Sequence, residues 1–205
     1  MEKSLTLKLA VLLYDGFELL DVFGPLEVFG QCDNQFEISL IGENEIIQAY
    51  QGQRLVTDYK LDDNTEKFDV ILVPGGLGSR QQIYSSKLGD WLIKHNQAAQ
   101  YILSVCTGAV FLAQYGLLSN KRATTNKMAM DWVMEFGENI HWQKKARWVV
   151  DGQIWTSSGV SAGIDMSLAF VAELFGFEYA KAVADKIEYV WNADSDCDPF
   201  YLHGL

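Results

Sequence analysis

Short apolar segments alternate with amphipathic segments along most of the chain. Four segments have the length and apolar content of buried β-strands: Leu7–Leu13, Phe36–Ile41, Asp69–Val73 and Tyr101–Val105. Between the first and second of these, and on either side of the fourth, apolar side chains recur at helical spacing. Strands that alternate with helices predict a doubly wound α/β fold of the flavodoxin-like type, with a mostly parallel sheet and helices on both of its faces.

The same spacing predicts where the helices lie. One helix covers Leu19–Phe29, and the pair Gly24-Pro25 is expected to kink or restart it, because proline has no amide hydrogen to donate. Further helices are expected around Leu88–His95 and over Thr107–Tyr115, Ile164–Phe175 and Glu178–Val190. A hairpin is expected where residues 151–153 join two short apolar strands, and the polar, turn-rich residues 46–59 suggest a second hairpin.

Composition favours a single domain that covers residues 1–205. The chain is 49% hydrophobic and 13% aromatic, and a chain of this length buries about 70% of the surface that it exposes when unfolded. Its 27 acidic against 16 basic residues give a net charge of −11, which disfavours nucleic acid and anionic membranes as partners. The sequence has neither a signal peptide in residues 1–8 nor a long apolar segment, so we expect a cytoplasmic protein.

The cysteines and acidic residues do not form a metal-binding pattern. The three cysteines are Cys32, Cys106 and Cys197. They lack CxxC spacing, so we expect neither a disulfide framework nor a zinc site. The segment Asp194–Asp198 begins like a calcium loop, but Pro199 and Leu205 stand where that loop needs glycine and glutamate. We therefore expect no metal, and the absence of nucleotide-binding glycine motifs adds the expectation of no cofactor.

Cys106 has the sequence context of a nucleophile. It follows the predicted strand Tyr101–Val105 directly, and Thr107-Gly108-Ala109 then begins a helix. In open α/β sheets, ligands bind beyond the carboxyl ends of the strands, and such a strand–nucleophile–helix turn, a nucleophile elbow, exposes its side chain there. The positive end of the helix favours a thiolate. A free cysteine is otherwise most often a small buried hydrophobic residue, which is what we expect of the other two cysteines.

Five short motifs resemble those of the DJ-1/PfpI superfamily and follow its order. They are Leu20–Pro25, Pro74–Gly76, Ser104–Ala109, Arg122–Thr125 and Ser161–Asp165. The resemblance extends over almost the whole chain, and the first motif and the elbow are most similar to the isonitrile (isocyanide) hydratase branch. It implies the α/β fold predicted above, a homodimer, and chemistry on a small-molecule substrate without a cofactor.

The resemblance also implies roles for five residues. Cys106 would be the nucleophile, Asp21 its acidic partner and Thr107 the hydroxyl of the elbow. Backbone N–H groups of Gly75 and Gly76 would line the anion-binding side of the pocket. These roles make chemical sense, because a carboxyl group can hydrogen-bond a thiolate or activate water. A Gly-Gly turn likewise brings main-chain donors close to developing negative charge.

The residues themselves leave alternatives open. Glu18 lies three residues before Asp21, can share a helix face with it, and is the main rival for the acid. Gly75 and Gly76 suit a plain tight turn about as well as oxyanion binding. Thr107 can equally satisfy a free amide at the start of the helix.

The sequence lacks a histidine at the positions where related chains have one. Thr107 follows the cysteine, where protease-like members of the wider fold have histidine, and Asn126 follows Ala-Thr-Thr, where hydratase-type relatives frequently have it. The three histidines are expected in an apolar helix face, a strand and the C-terminal segment: His95, His141 and His203. A cysteine–aspartate pair without imidazole suits addition to an electrophilic carbon better than amide cleavage, because no strongly basic leaving group must be protonated.

The sequence therefore predicts a lyase that hydrates an isonitrile to an N-formamide, with Cys106 as nucleophile and Asp21 as proton shuttle. One alternative is glyoxalase or deglycase chemistry on small dicarbonyls. Another is a non-enzymatic redox sensor whose thiol is oxidised to sulfinate. Ligand-sensing regulation is disfavoured by the acidic charge. The segment Trp191–Phe200 could cover the pocket or a neighbouring subunit, or be a solvated terminus.

Overall fold

A seven-stranded sheet forms the centre of the structure, a computed structural model that describes residues 6–63 and 66–203. The strands are β1 (Leu7–Leu13), β2 (Phe36–Gly42), β3 (Ile46–Gln48), β4 (Arg54–Val56), β5 (Tyr59–Lys60), β6 (Val70–Val73), β7 (Tyr101–Ser104), β8 (Arg122–Ala123), β9 (His141–Trp142), β10 (Trp148–Asp151) and β11 (Ile154–Ser157). The order in the central sheet is β10-β11-β7-β6-β1-β2-β5. All neighbouring strands are parallel except β10 and β11, which form the predicted hairpin.

Seven helices and two 3-10 turns accompany the sheet within the described residues. The helices are α1 (Leu19–Gly30), α2 (Ser79–Gln82), α3 (Ser86–Asn96), α4 (Ala109–Gln114), α5 (Met130–Val133), α6 (Ala162–Phe175) and α7 (Phe177–Lys186), and the 3-10 turns are Cys106–Gly108 and Pro199–His203. Every side chain of the central strand β6 is buried, which requires cover on both faces of the sheet. These features confirm the predicted doubly wound α/β fold.

Helix α1 is continuous through Gly24-Pro25, so of the two expected effects, a kink or a restart, the restart does not occur. A proline removes only one hydrogen bond of the helix ladder. Close packing on α6 supports this part of α1, because a Cβ at Gly24 would lie 2.7 Å from Ile164 Cγ1. Packing of the helix against its neighbour therefore offsets the missing bond.

The last helix is shorter than its apolar pattern predicts. Helix α7 ends at Lys186 and not at Val190, because Glu188 adopts a positive φ of 53° and the Tyr189 N–H turns back to the Ala184 carbonyl, 2.9 Å away. The chain from Tyr189 onward is thereby released to pack against α6.

The polar residues 46–59 form more structure than one hairpin. Strands β3 and β4 pair in antiparallel fashion, as expected. The following two-residue strand β5 pairs with the end of β2 and extends the central sheet, which the sequence did not indicate. A separate short parallel pair joins β8 to β9.

The topology places the carboxyl ends of three strands side by side. Strand β6 lies between β1 and β7, so the turns that follow these three strands meet at one edge of the sheet. Those turns lead to α1, to Pro74-Gly75-Gly76 and to Cys106. Within residues 6–63 and 66–203, no helix is long and apolar enough to cross a membrane. The expectation that residues 1–8 contain no signal peptide concerns a segment of which residues 1–5 lie outside the described residues.

Candidate active site

Cys106 lies on a sharp turn between β7 and α4. Its φ of +58° is in the left-handed region, which costs a non-glycine residue about 1–3 kcal/mol and has to be held by its surroundings. The Cys106 N–H donates to Ser158 O at 3.0 Å, and its carbonyl accepts from Thr125 Oγ1 at 2.7 Å. The turn has the position and shape of a nucleophile elbow, as predicted.

Asp21, in the first turn of α1, presents a fully buried carboxyl group to this elbow. The residue is 0% exposed. Its Oδ2 accepts from the Gly75 N–H at 2.8 Å, whereas Oδ1 has no hydrogen-bond partner among the described residues. Burial, followed by the charge of Glu18, raises the pKa of Asp21 to about 8, against the opposing effect of the Gly75 N–H and of the neighbouring Cys106 thiol. The carboxyl group is therefore protonated at neutral pH.

The Cys106 thiol is also stabilised in its protonated form. The residue is 6% exposed. Burial, followed by the nearby Asp21 charge, raises the pKa of Cys106 to about 12, although hydrogen bonds from the Thr107 and Val160 N–H groups and the Asn126 amide lower it. This direction is opposite to the one expected from the helix end alone, because desolvation outweighs the helix dipole. Of the two groups, the carboxyl loses its proton first.

The Gly-Gly turn after β6 hydrogen-bonds two residues that lie beside Cys106, Asp21 and Thr107. The Gly75 N–H donates to Asp21, and the Gly76 N–H donates to Thr107 Oγ1 at 3.0 Å. A Cβ at Gly75 would lie 2.5 Å from the Thr107 nitrogen and 2.9 Å from Asp21 Oδ2, and Gly76 has a φ of +127°. Both N–H groups already have acceptors, so their predicted donation to an oxyanion would require these bonds to be exchanged.

Thr107 links the elbow to α2. Its hydroxyl accepts from the Gly76 N–H and from Ser79 Oγ at 3.1 Å. It also lies 3.3 Å from the Gly76 carbonyl, to which it donates. Thr107 thereby fixes the wall of the site beside the cysteine.

Glu18, the rival acid, lies at the edge of the same site. It is half-buried, and its Oε1 accepts from Gln51 Nε2. The carboxyl group that is coupled to the thiol is that of Asp21, and Glu18 raises the pKa of that carboxyl through its charge. The structure thus assigns the two carboxyl groups different environments.

Cys106 opens onto a cavity of about 310 Å³ that Glu18, Arg80 and Met128 also line. The Arg80 guanidinium lies over the Trp132 ring, 4.2 Å from its centroid. A second cavity of about 190 Å³ shares three wall residues with the first, Asn126, Met128 and Val160, and has Phe200 on its far side. The site therefore has a cavity at the sulfur with both charged and apolar walls, and a more strongly apolar chamber beside it.

The C-terminal segment is held against the body by a buried ionic network. Asp165 accepts from Arg147 Nε at 2.6 Å and from the Tyr189 hydroxyl at 3.1 Å. Arg147 also lies 3.7 Å from Asp198, a second fully buried carboxyl group. This network fixes the chain that leads to Phe200, and it accounts for a segment whose role the sequence left open.

Sequence reasoning missed several residues that contact Cys106. Asn126 was noticed only because it stands where relatives have histidine, yet its Nδ2 lies 3.2 Å from Cys106 Sγ. Thr125 and Ser158 bind the cysteine backbone. The Ala-Thr-Thr motif, which includes Thr125 and precedes Asn126, could have pointed to these two residues. The contact with Ser158 depends on strand pairing that the sequence does not display.

The histidines take no part in the cavity walls that the structure describes. His95 packs against Trp91, with ring centroids 4.3 Å apart, and His141 is exposed on β9. The side chain of His203 and all of Leu205 lie outside the described part of the chain. In that described part, no cluster of three or more His, Cys, Asp or Glu side chains could hold a metal ion.

A cysteine on a strand-to-helix elbow, beside a buried carboxyl group from the first helix of a doubly wound sheet, defines an α/β protein of the nucleophile-elbow class. Comparison with protein families agrees with this class. Residues 7–173 match the DJ-1/PfpI family. The chain belongs to this family.

Individual relatives carry different names within the family. An isonitrile hydratase from Pseudomonas putida is 31% identical over 186 residues, which cover 90% of this chain and 79% of that protein. A Parkinson disease protein 7 homolog from Danio rerio is 27% identical over 176 residues, which cover 84% and 92%. The crystal structure of a THiJ/PfpI family protein from Pseudomonas syringae superposes with a TM-score of 0.82 at 28% identity and covers 96% of this chain and 83% of that one.

Proposed function

We propose that this protein hydrates isonitriles to N-formamides, with Cys106 as nucleophile and Asp21 as proton shuttle. The observation that carries the proposal is the fully buried Asp21 carboxyl group, which is electrostatically coupled to the Cys106 thiol and is held by the Gly75 N–H beside the elbow. The similarity to the isonitrile hydratase of Pseudomonas putida supports the same chemistry.

The reaction balances with water as the only co-reactant. The Cys106 sulfur bonds to the isocyano carbon while the thiol proton, relayed by Asp21, goes to that carbon, which gives a thioimidate, S–CH=N–R. Water then adds to this carbon, and Asp21 transfers the water proton to the nitrogen. The C–S bond breaks, the hydroxyl proton returns to the sulfur through the carboxyl group, and the formamide R–NH–CHO leaves.

Asp21 has the properties that a shuttle needs. Its pKa of about 8 lies near neutral pH, where a group can both give and accept a proton efficiently. Oδ2 is fixed by Gly75 while Oδ1 is left without a protein partner among the described residues. One oxygen therefore sets the orientation, and the other has no competing hydrogen bond from the described residues.

The chamber beside the cysteine cavity supports an apolar R group. Met128, Val160 and Phe200 line it, and burial of apolar substrate surface there contributes about 25 cal/mol per Å². A linear isocyano group needs no hydrogen-bond donor for a developing anion before the sulfur attacks it. This fits a site in which the N–H groups of Gly75 and Gly76 already donate to Asp21 and Thr107. We therefore propose aryl or branched alkyl isonitriles as substrates.

We also propose that the protein acts as a homodimer. Leu20 and Phe23 on α1 are 40% and 45% exposed, and apolar side chains clustered on one helix are typical of contact surfaces. Sedimentation analysis tests this: a mass of two chains that falls to one in Phe23→Asp supports the dimer, and a monomeric wild-type protein at micromolar concentration contradicts it.

The experiment that tests the function is turnover of para-nitrophenyl isocyanide, followed by chromatographic detection of the formamide. Wild-type protein is compared with Cys106→Ala, Asp21→Asn and the matched control Cys32→Ala, whose thiol is buried elsewhere and donates to Val28 O. Product that disappears in the first two variants and persists in the control supports the proposal. Folded wild-type protein that yields no formamide, but forms lactate from methylglyoxal or is only oxidised by peroxide, overturns it.

A further inference from the structure

The side-chain amide of Asn126 is held so that its NH2 group faces Cys106. Its Oδ1 accepts from the Met128 N–H at 2.9 Å and from the Ala129 N–H at 3.1 Å. Only an oxygen can accept these bonds, so the opposite orientation of the amide is excluded. Nδ2 then lies 3.2 Å from Cys106 Sγ and donates to it.

The surroundings leave this amide little freedom to rotate away. Gly159 packs against it, because a Cβ at that position would lie 2.5 Å from Asn126 Nδ2. The preceding Thr124 and Thr125 are fixed in turn, since the Thr124 N–H donates to Thr156 Oγ1 at 2.8 Å and the Thr125 hydroxyl donates to the Cys106 carbonyl. The donor is thus preorganised before a substrate binds.

We propose that Asn126 is a catalytic residue, a neutral donor that stabilises negative charge on the Cys106 sulfur at every pH at which the protein is folded. A hydrogen bond to a charged group contributes more than one to a neutral group, so the donor favours the thiolate over the thiol. It acts when the sulfur attacks and again when the C–S bond breaks.

An amide differs here from an imidazole because it does not titrate. A histidine in its place would change charge near pH 6.5 and would impose that ionisation on the reactivity of the thiol. Among the described residues, the other titratable or charged groups around the sulfur are Asp21 from α1, Glu18 just before α1, Tyr14 just after β1 and Arg80 from α2. With asparagine, no imidazole adds its own ionisation, and the Asp21 carboxyl, whose pKa is raised to about 8, is the acidic group coupled to the thiol.

The test is the rate at which iodoacetamide alkylates Cys106, measured between pH 6 and 9.5 by mass spectrometry of its peptide. Asn126→Asp keeps an oxygen for the Met128 and Ala129 N–H groups but replaces the donor by an acceptor. Loss of the donor should raise the thiol pKa by about one to two units. Since a more basic thiolate is also more nucleophilic, we expect alkylation about 3- to 15-fold slower across this range.

The controls separate this effect from loss of structure. Asn139→Asp makes the same change at an exposed asparagine and should leave the rate unchanged. Asn126→His should add an inflection near pH 6 to 7 to the alkylation profile. If Asn126→Asp does not fold, Asn126→Ser replaces it, because its hydroxyl can still accept the local N–H bonds but is too short to reach the sulfur.

Folded Asn126→Asp, or its serine substitute, with a wild-type alkylation profile would overturn the inference. The role in C–S cleavage rests on the proposed isonitrile chemistry, but alkylation does not use that substrate. A protein that fails to hydrate isonitriles and still shows the alkylation effect would therefore refute the proposed function alone.

Discussion

Replacing Asp21 by asparagine should stabilise the folded protein while it removes the proposed proton shuttle. The carboxyl group is fully buried, and burial is the main reason that its pKa is raised from 3.8 to about 8. Between these values the native state holds a proton that the unfolded chain has lost. The stability that this group contributes is therefore complete below about pH 4 and is lost as the pH rises towards 8.

The size of the effect follows from this shift. Within the window, each pH unit lowers the free energy of unfolding by about 1.4 kcal/mol. From pH 5 to pH 7 the loss is about 2.7 kcal/mol, or about 5 to 11 °C in Tm for a chain of this size. Asparagine retains an oxygen for the Gly75 N–H and does not titrate. The stability advantage of Asp21→Asn over wild type should therefore grow by this amount between the two pH values.

Urea-induced unfolding of Asp21→Asn and wild type at pH 5, 6 and 7 measures the difference between their free energies of unfolding. The titration of all other groups contributes equally to both proteins and cancels in this difference. Asp58→Asn is the matched control, because Asp58 also accepts one backbone N–H, from Leu40 at 2.8 Å, but is exposed. Its difference from wild type should stay constant with pH. A constant difference for Asp21→Asn as well would refute the protonated, buried state of Asp21.

Three further changes test other parts of the structure. Gly75→Ala should lower the free energy of unfolding, measured with urea, by about 1–3 kcal/mol by overpacking and should abolish formamide production. In Gly30→Ala the added methyl group meets open space, so both stability and turnover should stay at the wild-type level. Arg147→Met leaves the buried Asp165 carboxyl without its cation, while Asp198 keeps Lys127 at 3.8 Å, and should cost about 3–5 kcal/mol; a loss below 1 kcal/mol in urea unfolding would argue against the network. Phe200→Ala should lower kcat/KM for an aryl isonitrile about tenfold while leaving methyl isocyanide unchanged; equal losses for both substrates would remove the side chamber from substrate binding.

The sequence predicted the elements whose apolar patterns are long and continuous. Strands β1, β6 and β7 and helices α1, α3 and α6 fall close to their expected bounds, because each buries several consecutive or periodic side chains. The two-residue strand β5 and the four-residue helices α2 and α5 are too short to have a period. The end of α7 depends on the positive φ of Glu188, a local geometry that the apolar spacing does not encode.

The sequence indicated where the candidate site lies, but not the directions of the pKa shifts or the orientation of the side chains within it. The turn residues around Cys106 indicated an elbow, and the structure places Asp21 beside it. The direction of the Cys106 pKa shift was not predictable, because it depends on how much water the folded chain excludes. The direction of the Asn126 amide likewise depends on the two N–H groups that its oxygen accepts. The network that positions Phe200 joins residues that lie far apart along the chain.

The most direct test of the proposed chemistry is turnover of para-nitrophenyl isocyanide by the purified protein beside Cys106→Ala. We predict that wild-type protein converts the isocyanide to the formamide over many cycles and that the variant forms none. Absence of formamide from folded wild-type protein, or equal product from the variant, would contradict the assignment of Cys106 as the nucleophile of an isonitrile hydratase.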